Sequence, residues 1–516
     1  MADQQIVSQN FDSGMMQDRA RDQLTRGVAW RMTDWILQDQ APLRKRGGWT
    51  FGSRDLNALS ASNYLASVAW AQFPNNSHLV AVSDTGKLFR MGPTGVIDSA
   101  SGTLVDAAFI RKSRPFYHVD GLIFPSSDAS TDPGRYFDSG GGSFTTGVIT
   151  GTPPRGRFGF SYGDYAALLN GWDPASSYAL RPDRMWFSNV GNYNSWNTGT
   201  NGGFMDFGRE IIAAAWNRSI FLVWGYETTW LVNGTIPPPG GDFVKQPLFT
   251  VGCFDFRSIA AQREYFVWAN PSGIFRTDGT SLTDVTKQCG ISQLWRSTTL
   301  GFNTQTGWIC AGGILYGQYY CTITDQNGLN RATFVIDLEN YVCTMHTNLQ
   351  ATMYAQRLSG QGTSQEPGQD ELFGASRVSA RVMRLAPIWT PTAATRYDAD
   401  GTPVLPVLEG PYWKLGHTED KRIRFAYVGY DLRDAGDSPR LAVEYVLSPE
   451  LSTYTSPTNR DGSAKTMPAT TQFDRRRIDI RRKAEGVALR IRQTAPSADT
   501  RLAEIELEGH PIEGSR

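Results

Sequence analysis

Several things are scarce or missing in this 516-residue sequence, and each excludes a class of protein. No stretch approaches the ~18 consecutive apolar residues of a membrane span. The opening MADQQIVSQNFDSGMMQDRA carries no apolar run of signal-peptide length, so neither a secretory signal nor a span is predicted. Net charge is missing too: 50 basic residues balance 50 acidic ones, which removes any whole-molecule pull toward nucleic acid or an anionic membrane. Cysteine is sparse and odd in number. Cys253, Cys289, Cys310, Cys321 and Cys343 lack C-x-x-C spacing and read as free, mostly buried thiols made in a reducing cytoplasm. The five histidines, His78, His118, His346, His417 and His510, never fall at zinc-site or H-E-x-x-H spacings, so no metal site is expected.

Turn formers and aromatics are abundant instead. The chain holds 52 Gly, 15 Trp, 20 Tyr and 26 Phe, a mix that favours pleated, turn-rich structure, so the expected fold class is all-β. Residues 1–50 alternate short apolar pieces such as Val28-Ala29-Trp30 and Trp35-Ile36-Leu37 with polar ones, without a helical period. They are expected to form an extended N-terminal arm. It ends in Leu43-Arg44-Lys45-Arg46-Gly47-Gly48-Trp49, read either as a solvated basic turn closing onto the body or as a contact with a neighbouring subunit.

One theme recurs over 51–390: an apolar strand, a turn rich in Gly, Asp or Asn, then a strand carrying an aromatic. The clearest instances run His78 to Phe89 and Glu264 to Arg276, and each reads as a hairpin. Weaker copies start near Tyr117, Asp164, Ser219, Gly312 and Asp370. The seven starts are spaced by roughly 40 to 60 residues, which fits four-stranded propeller blades better than a sandwich with turns every 8 to 12. A β-propeller of six to eight blades is therefore expected, seven being the first choice. A Pro-rich linker over 391–410 follows, near Pro387, Pro391, Pro403, Pro406 and Pro411. Beyond it Arg422 to Tyr430, Leu441 to Val446, Val487 to Arg492 and Leu502 to Leu507 alternate with period two, predicting a C-terminal β-sandwich over 411–516.

Chemistry-bearing motifs are weak. Val82-Ser83-Asp84-Thr85-Gly86 and Arg276-Thr277-Asp278-Gly279 half-match the turn boxes of hydrolytic propellers, yet an Asp and a Gly satisfying hairpin geometry explain them. Gly159-Phe160-Ser161-Tyr162-Gly163 matches G-x-S-x-G, but no strand-to-helix elbow surrounds it. The glycine-rich stretches Gly140-Gly141-Gly142 and Asn201-Gly202-Gly203 read as flexible loops. Arg475-Arg476-Arg477 and Arg481-Arg482-Lys483 invite phosphate contact, though 18 basic residues meet 16 acidic ones over 411–516. Trp216, Trp224 and Trp230 are read as packing between sheets rather than a sugar platform. No catalytic, cofactor-binding or metal residue is assigned, no cofactor is expected, and the chain is expected not to be an enzyme.

The opening Asn10-Phe11-Asp12-Ser13-Gly14, the later Leu43 to Trp49, the central Trp224 to Gly234, Val251 to Ala260 and Val267 to Gly279 together resemble bacteriophage tail proteins of the nozzle and minor-tail type. The resemblance spans most of the chain. It implies a virion component, made in the host cytoplasm, that forms or closes the tail channel as a six-fold or three-fold homo-oligomeric ring. Its partners would be other phage tail proteins and packaged DNA in the channel. The alternative is a propeller that binds or depolymerises host-surface carbohydrate.

Overall fold

The computed structural model describes residues 5–511 except 10–12, 25–27, 37–42, 47–48, 61–62, 74–76, 92–102, 107–113, 119–120, 127–133, 139–144, 151, 197–202, 218–219, 263, 298–308, 326–329, 358–369, 386–397, 399, 415–420, 434–438, 450–452, 459–462, 471 and 498. The chain is all-β, with only short helical turns among the described residues. Seven antiparallel meanders follow one another, spanning 65–106, 116–148, 155–206, 211–249, 260–284, 309–346 and 351–385. Each of the seven hairpin starts read in the sequence falls inside a different meander.

The arrangement is propeller-like. First strands of successive meanders pack against one another, as Phe116–His118 does on Arg155–Tyr162, and Arg155–Tyr162 on Ile211–Trp216. The first strand of the last meander, Ala351–Arg357, returns to lie against the first strand of the first, Leu65–Gln72. A single meander exposes two apolar faces, and radial stacking buries both. Leu79, Ala81 and Phe89 of the first accordingly share a core with Met353, Phe373 and Val382 of the last. Among the described residues the last meander has three strands of its own, and Thr50–Phe51 adds a fourth by pairing antiparallel with Val382–Leu385.

The last hundred residues build two further antiparallel sheets. In one, Asp499–Pro511 and Asp474–Ala484 flank Lys421–Arg433; in the other, Gly486–Gln493 lies between Val407–Lys414 and Arg440–Val446. Their alternating apolar residues, Ile423, Val428 and Ile505 from one sheet and Val443, Leu489 and Ile491 from the other, belong to one buried cluster. The predicted C-terminal strands are all present. The expected linker is shorter than its proline pattern suggests, because Val407 already starts a strand and Asp398 and Val404 are buried; Pro387 and Pro391 lie outside the described residues.

The N-terminal stretch does not stand apart. Gln5–Gln9 pairs with 505–509 and Leu43–Lys45 with the same strand at Leu502 and Arg501. Arg31–Thr33 lies between the last strand of the sixth meander and Val407–Lys414, fusing them into one nine-stranded sheet. Met15, Ala29, Met32 and Trp35 are buried in the cluster that also holds Trp295, Phe334 and the C-terminal strands. Gly14, at φ +72, is held where only glycine fits: a Cβ would collide with Val342 and the Cys343 carbonyl. Asp18 accepts the Ser292 and Gln293 amides at 2.9 and 2.7 Å, docking the segment on the short helix Ser292–Arg296.

The basic run at 44–46 is neither a solvated turn nor free to meet a neighbour, because all three side chains are buried. Arg46 is 3% exposed and grips two carboxylates, Asp34 through Nε at 2.6 Å and Asp398 through both Nη atoms at 2.8 and 2.9 Å. Asp34, itself at φ +59, also accepts the Thr347 amide and hydroxyl at 2.9 and 2.6 Å. Burial alone raises the Asp34 pKa, but the charge of Arg46 and the hydrogen bonds from Thr347 and Arg46 outweigh it and hold the carboxyl below its ordinary value. Arg44 pairs with Asp499 at 3.0 Å and Lys45 donates to the Ser497 carbonyl at 2.8 Å. The period-two pattern could not show this, since these charges are inward only because four separate chain segments meet there.

Candidate functional site

A concavity lies where first strands of successive meanders converge. It has a volume of about 260 Å³ and is walled by the second, third and fourth meanders and by the segment entering the fifth. Apolar side chains make most of the wall, notably Phe116, Phe158, Trp216 and Phe256, with Ser161 as a hydroxyl. Two arginines line it. Arg114 precedes the first strand of the second meander and sends Nη1 to the Phe256 and Ile259 carbonyls at 2.9 and 3.4 Å. Burial lowers its pKa, offset in part by the charge of Asp255. Arg157 sits on Arg155–Tyr162, its guanidinium 5.1 Å from the Trp172 ring, and its Nε is buried without a hydrogen-bond partner among the described residues.

The motifs singled out in the sequence take other roles. Ser161 is at the end of a strand and Gly163, at φ +52, makes a hairpin into another strand, so no nucleophile elbow forms. The Ser161 hydroxyl meets His118 Nδ1 at 3.0 Å, and burial lowers the His118 pKa to about 4. Gly159 is needed for packing, since a Cβ there would run into the Phe116 ring. Ser83 and Gly86 close a hairpin, with Gly86 N donating to Ser83 O at 2.9 Å, and Asp278 accepts the Thr280 and Ser281 amides at 2.9 and 2.8 Å.

Trp224 and Trp230 are buried between sheets, Trp224 against Phe266 and Trp268 and Trp230 against Phe207. Trp216 alone reaches the axial wall. Arg475, Arg476 and Arg477 lie on an outer strand, where Arg475 pairs with Glu506, Arg476 with Asp474 and Arg477 with Asp479. All five cysteines are buried free thiols, and burial pushes Cys253 up to about 12. Gly140 to Gly142, Asn201 and Gly202 fall outside the described residues. Neither Arg114 nor Arg157 was marked by the sequence reading. The alternation Arg155-x-Arg157 was the one local signal, and it says nothing of which strands converge.

No known protein family matches the sequence, and no curated protein does. Solved structures with similar shape include the extracellular domain of a putative one-component system from B. thetaiotaomicron, at TM-score 0.41 and 10% identity over 89% of this chain and 62% of that one. The N-terminal domain of BBS1 in complex with ARL6 aligns at TM-score 0.38 and 11% identity, over 66% and 98% of the two chains. The WD40 domain of coronin from Toxoplasma gondii aligns at 0.37 and 9%, over 65% and 83%. These likenesses are loose, and the fold description rests on the strand pairing itself.

Proposed function

We propose that the chain is a non-enzymatic structural subunit of a bacteriophage tail, a seven-bladed propeller with a C-terminal β-sandwich that assembles as a closed ring around or at the tip of the tail channel. The observation that supports this reading is the stapling of the body. N-terminal strands run into both C-terminal sheets, into the sixth meander and into the seventh, so the two halves share one core and one buried charge cluster. A body joined in this way resists internal hinge motion and suits a load-bearing shell, with exposed loops left for docking neighbouring tail proteins. The resemblance of residues 10–14, 224–234 and 267–279 to nozzle and minor tail proteins points the same way. Closed rings of identical subunits use heterologous contacts, and six-fold symmetry suits a nozzle while three-fold symmetry suits a tip.

The test is the mass of the purified protein by mass photometry, together with a copy count in a symmetry-resolved reconstruction of the particle. Six or three copies around the channel are expected, and absence from the particle overturns the proposal.

A further inference from the structure

Outside the stapled junction, the feature that ordinary folding leaves unexplained is the pair of arginines at the axial cavity. Burying a guanidinium is costly unless a carboxylate or several acceptors replace its water. Three buried arginines follow this rule through carboxylates: Arg46 holds Asp34 and Asp398, Arg44 holds Asp499, and Arg184 holds Asp173 and Asp206 at 2.7 and 2.6 Å. At the cavity Arg114 and Arg157 are half-buried and differ in this respect. None of the lining residues is acidic, and neither Arg114 nor Arg157 makes an ion pair among the described residues. Arg114 is pinned by backbone carbonyls, with Nη2 left only a 3.5 Å contact to Ile259 O, and Arg157 Nε is an orphaned buried donor.

We infer that this cavity binds a compact molecule bearing an oxyanion, a carboxylate or a phosphate, which completes the coordination of Arg114 and Arg157. Guanidinium donors match the paired oxygens of such groups and form the stronger, charge-assisted class of hydrogen bond. The remaining wall fits the body of the ligand: Phe158, Phe256 and Trp216 offer apolar faces and Ser161 a single hydroxyl. The volume of about 260 Å³ suits a monosaccharide-sized molecule. This inference does not depend on the tail assignment, and a chain absent from the particle would leave it standing.

Titration calorimetry on the full-length protein tests it, with glucuronate, glucose 6-phosphate and sodium phosphate as anionic probes and glucose as the neutral one. At least one anionic probe should bind one-to-one within a range reaching about 10 mM, with glucose about tenfold weaker or silent. Arg157→Gln should weaken that binding about tenfold or more while leaving the thermal midpoint in place, and Arg114→Gln serves as a second variant if it folds. Binding of phosphate alone identifies a free inorganic anion as the ligand, and preference for glucuronate identifies a sugar acid; both support the site. Silence from every anion, equal binding of glucose, or affinity unchanged in Arg157→Gln overturns it.

Discussion

The stapled junction and the axial cavity place the same side chain in opposite circumstances. At the junction Arg46 is buried between two carboxylates whose orientation is fixed by Thr347, Asn348 and the Trp49 amide. At the axis Arg114 and Arg157 line an apolar wall with backbone carbonyls and an aromatic ring as partners. The difference teaches that an inward-facing arginine held by carboxylates fixes the architecture, while a half-buried one without such a pair leaves donors for a ligand of the kind inferred above. What separates the two cases is whether a carboxylate of the fold pairs directly with the guanidinium.

The sharpest way to break this comparison is Arg46→Met. It strands Asp34 and Asp398 without their cation, and a loss of about 3–5 kcal/mol is expected in urea unfolding. A loss below about 1 kcal/mol would mean that the junction is no more demanding than a surface pair. Gly14→Ala should cost about 1–3 kcal/mol in the same assay, because the left-handed backbone and the wall formed by Val342 and Cys343 both oppose a Cβ.

Acid should weaken the native state through its two buried, neutral histidines. Burial, joined by the charge of Arg46, lowers His346 to about 3, and burial lowers His118 to about 4, while in the unfolded chain both protonate near pH 6.5. The unfolded state thus binds more protons through that window, so stability falls as pH drops from about 6.5 toward 4. The urea midpoint should be lower at pH 5 than at pH 7, with a shallower slope in His346→Gln. An unchanged midpoint would contradict the neutral burial of both rings. Smallest of all should be the effect of Arg157→Leu, within about 0.5 kcal/mol of the parent, because no carboxylate is stranded when it leaves. A large loss there would place Arg157 in the scaffold and sharpen the comparison in the other direction.

Much of the body was legible in the sequence because hairpin chemistry is local. Asp84-Thr85-Gly86 and Asn270-Pro271-Ser272-Gly273 announce their turns within a few residues, and seven such starts mark seven meanders. The N-terminal stretch was less legible for the opposite reason. Val28-Ala29-Trp30 and Trp35-Ile36 look like arm segments, since nothing near them tells that Arg31–Thr33 pairs with residues beyond 340 and 400. The axial cavity was invisible. Arg114 and Arg157 are ordinary in their neighbourhoods and come together only when the second and third meanders pack side by side.

The pairing of Leu43–Lys45 with Leu502 and Arg501 also sets an order of events during synthesis. The meanders can form as they emerge from the ribosome, while Arg44 and Lys45 must wait for Asp499 and Ser497, which lie 455 and 452 residues further along the chain. A chain cut short before residue 499 would keep two basic side chains with no burial to enter and an unpaired strand edge at 43–45. Closure of the junction thereby waits on a segment far along the chain, and copies that lack it are exposed to aggregation or proteolysis.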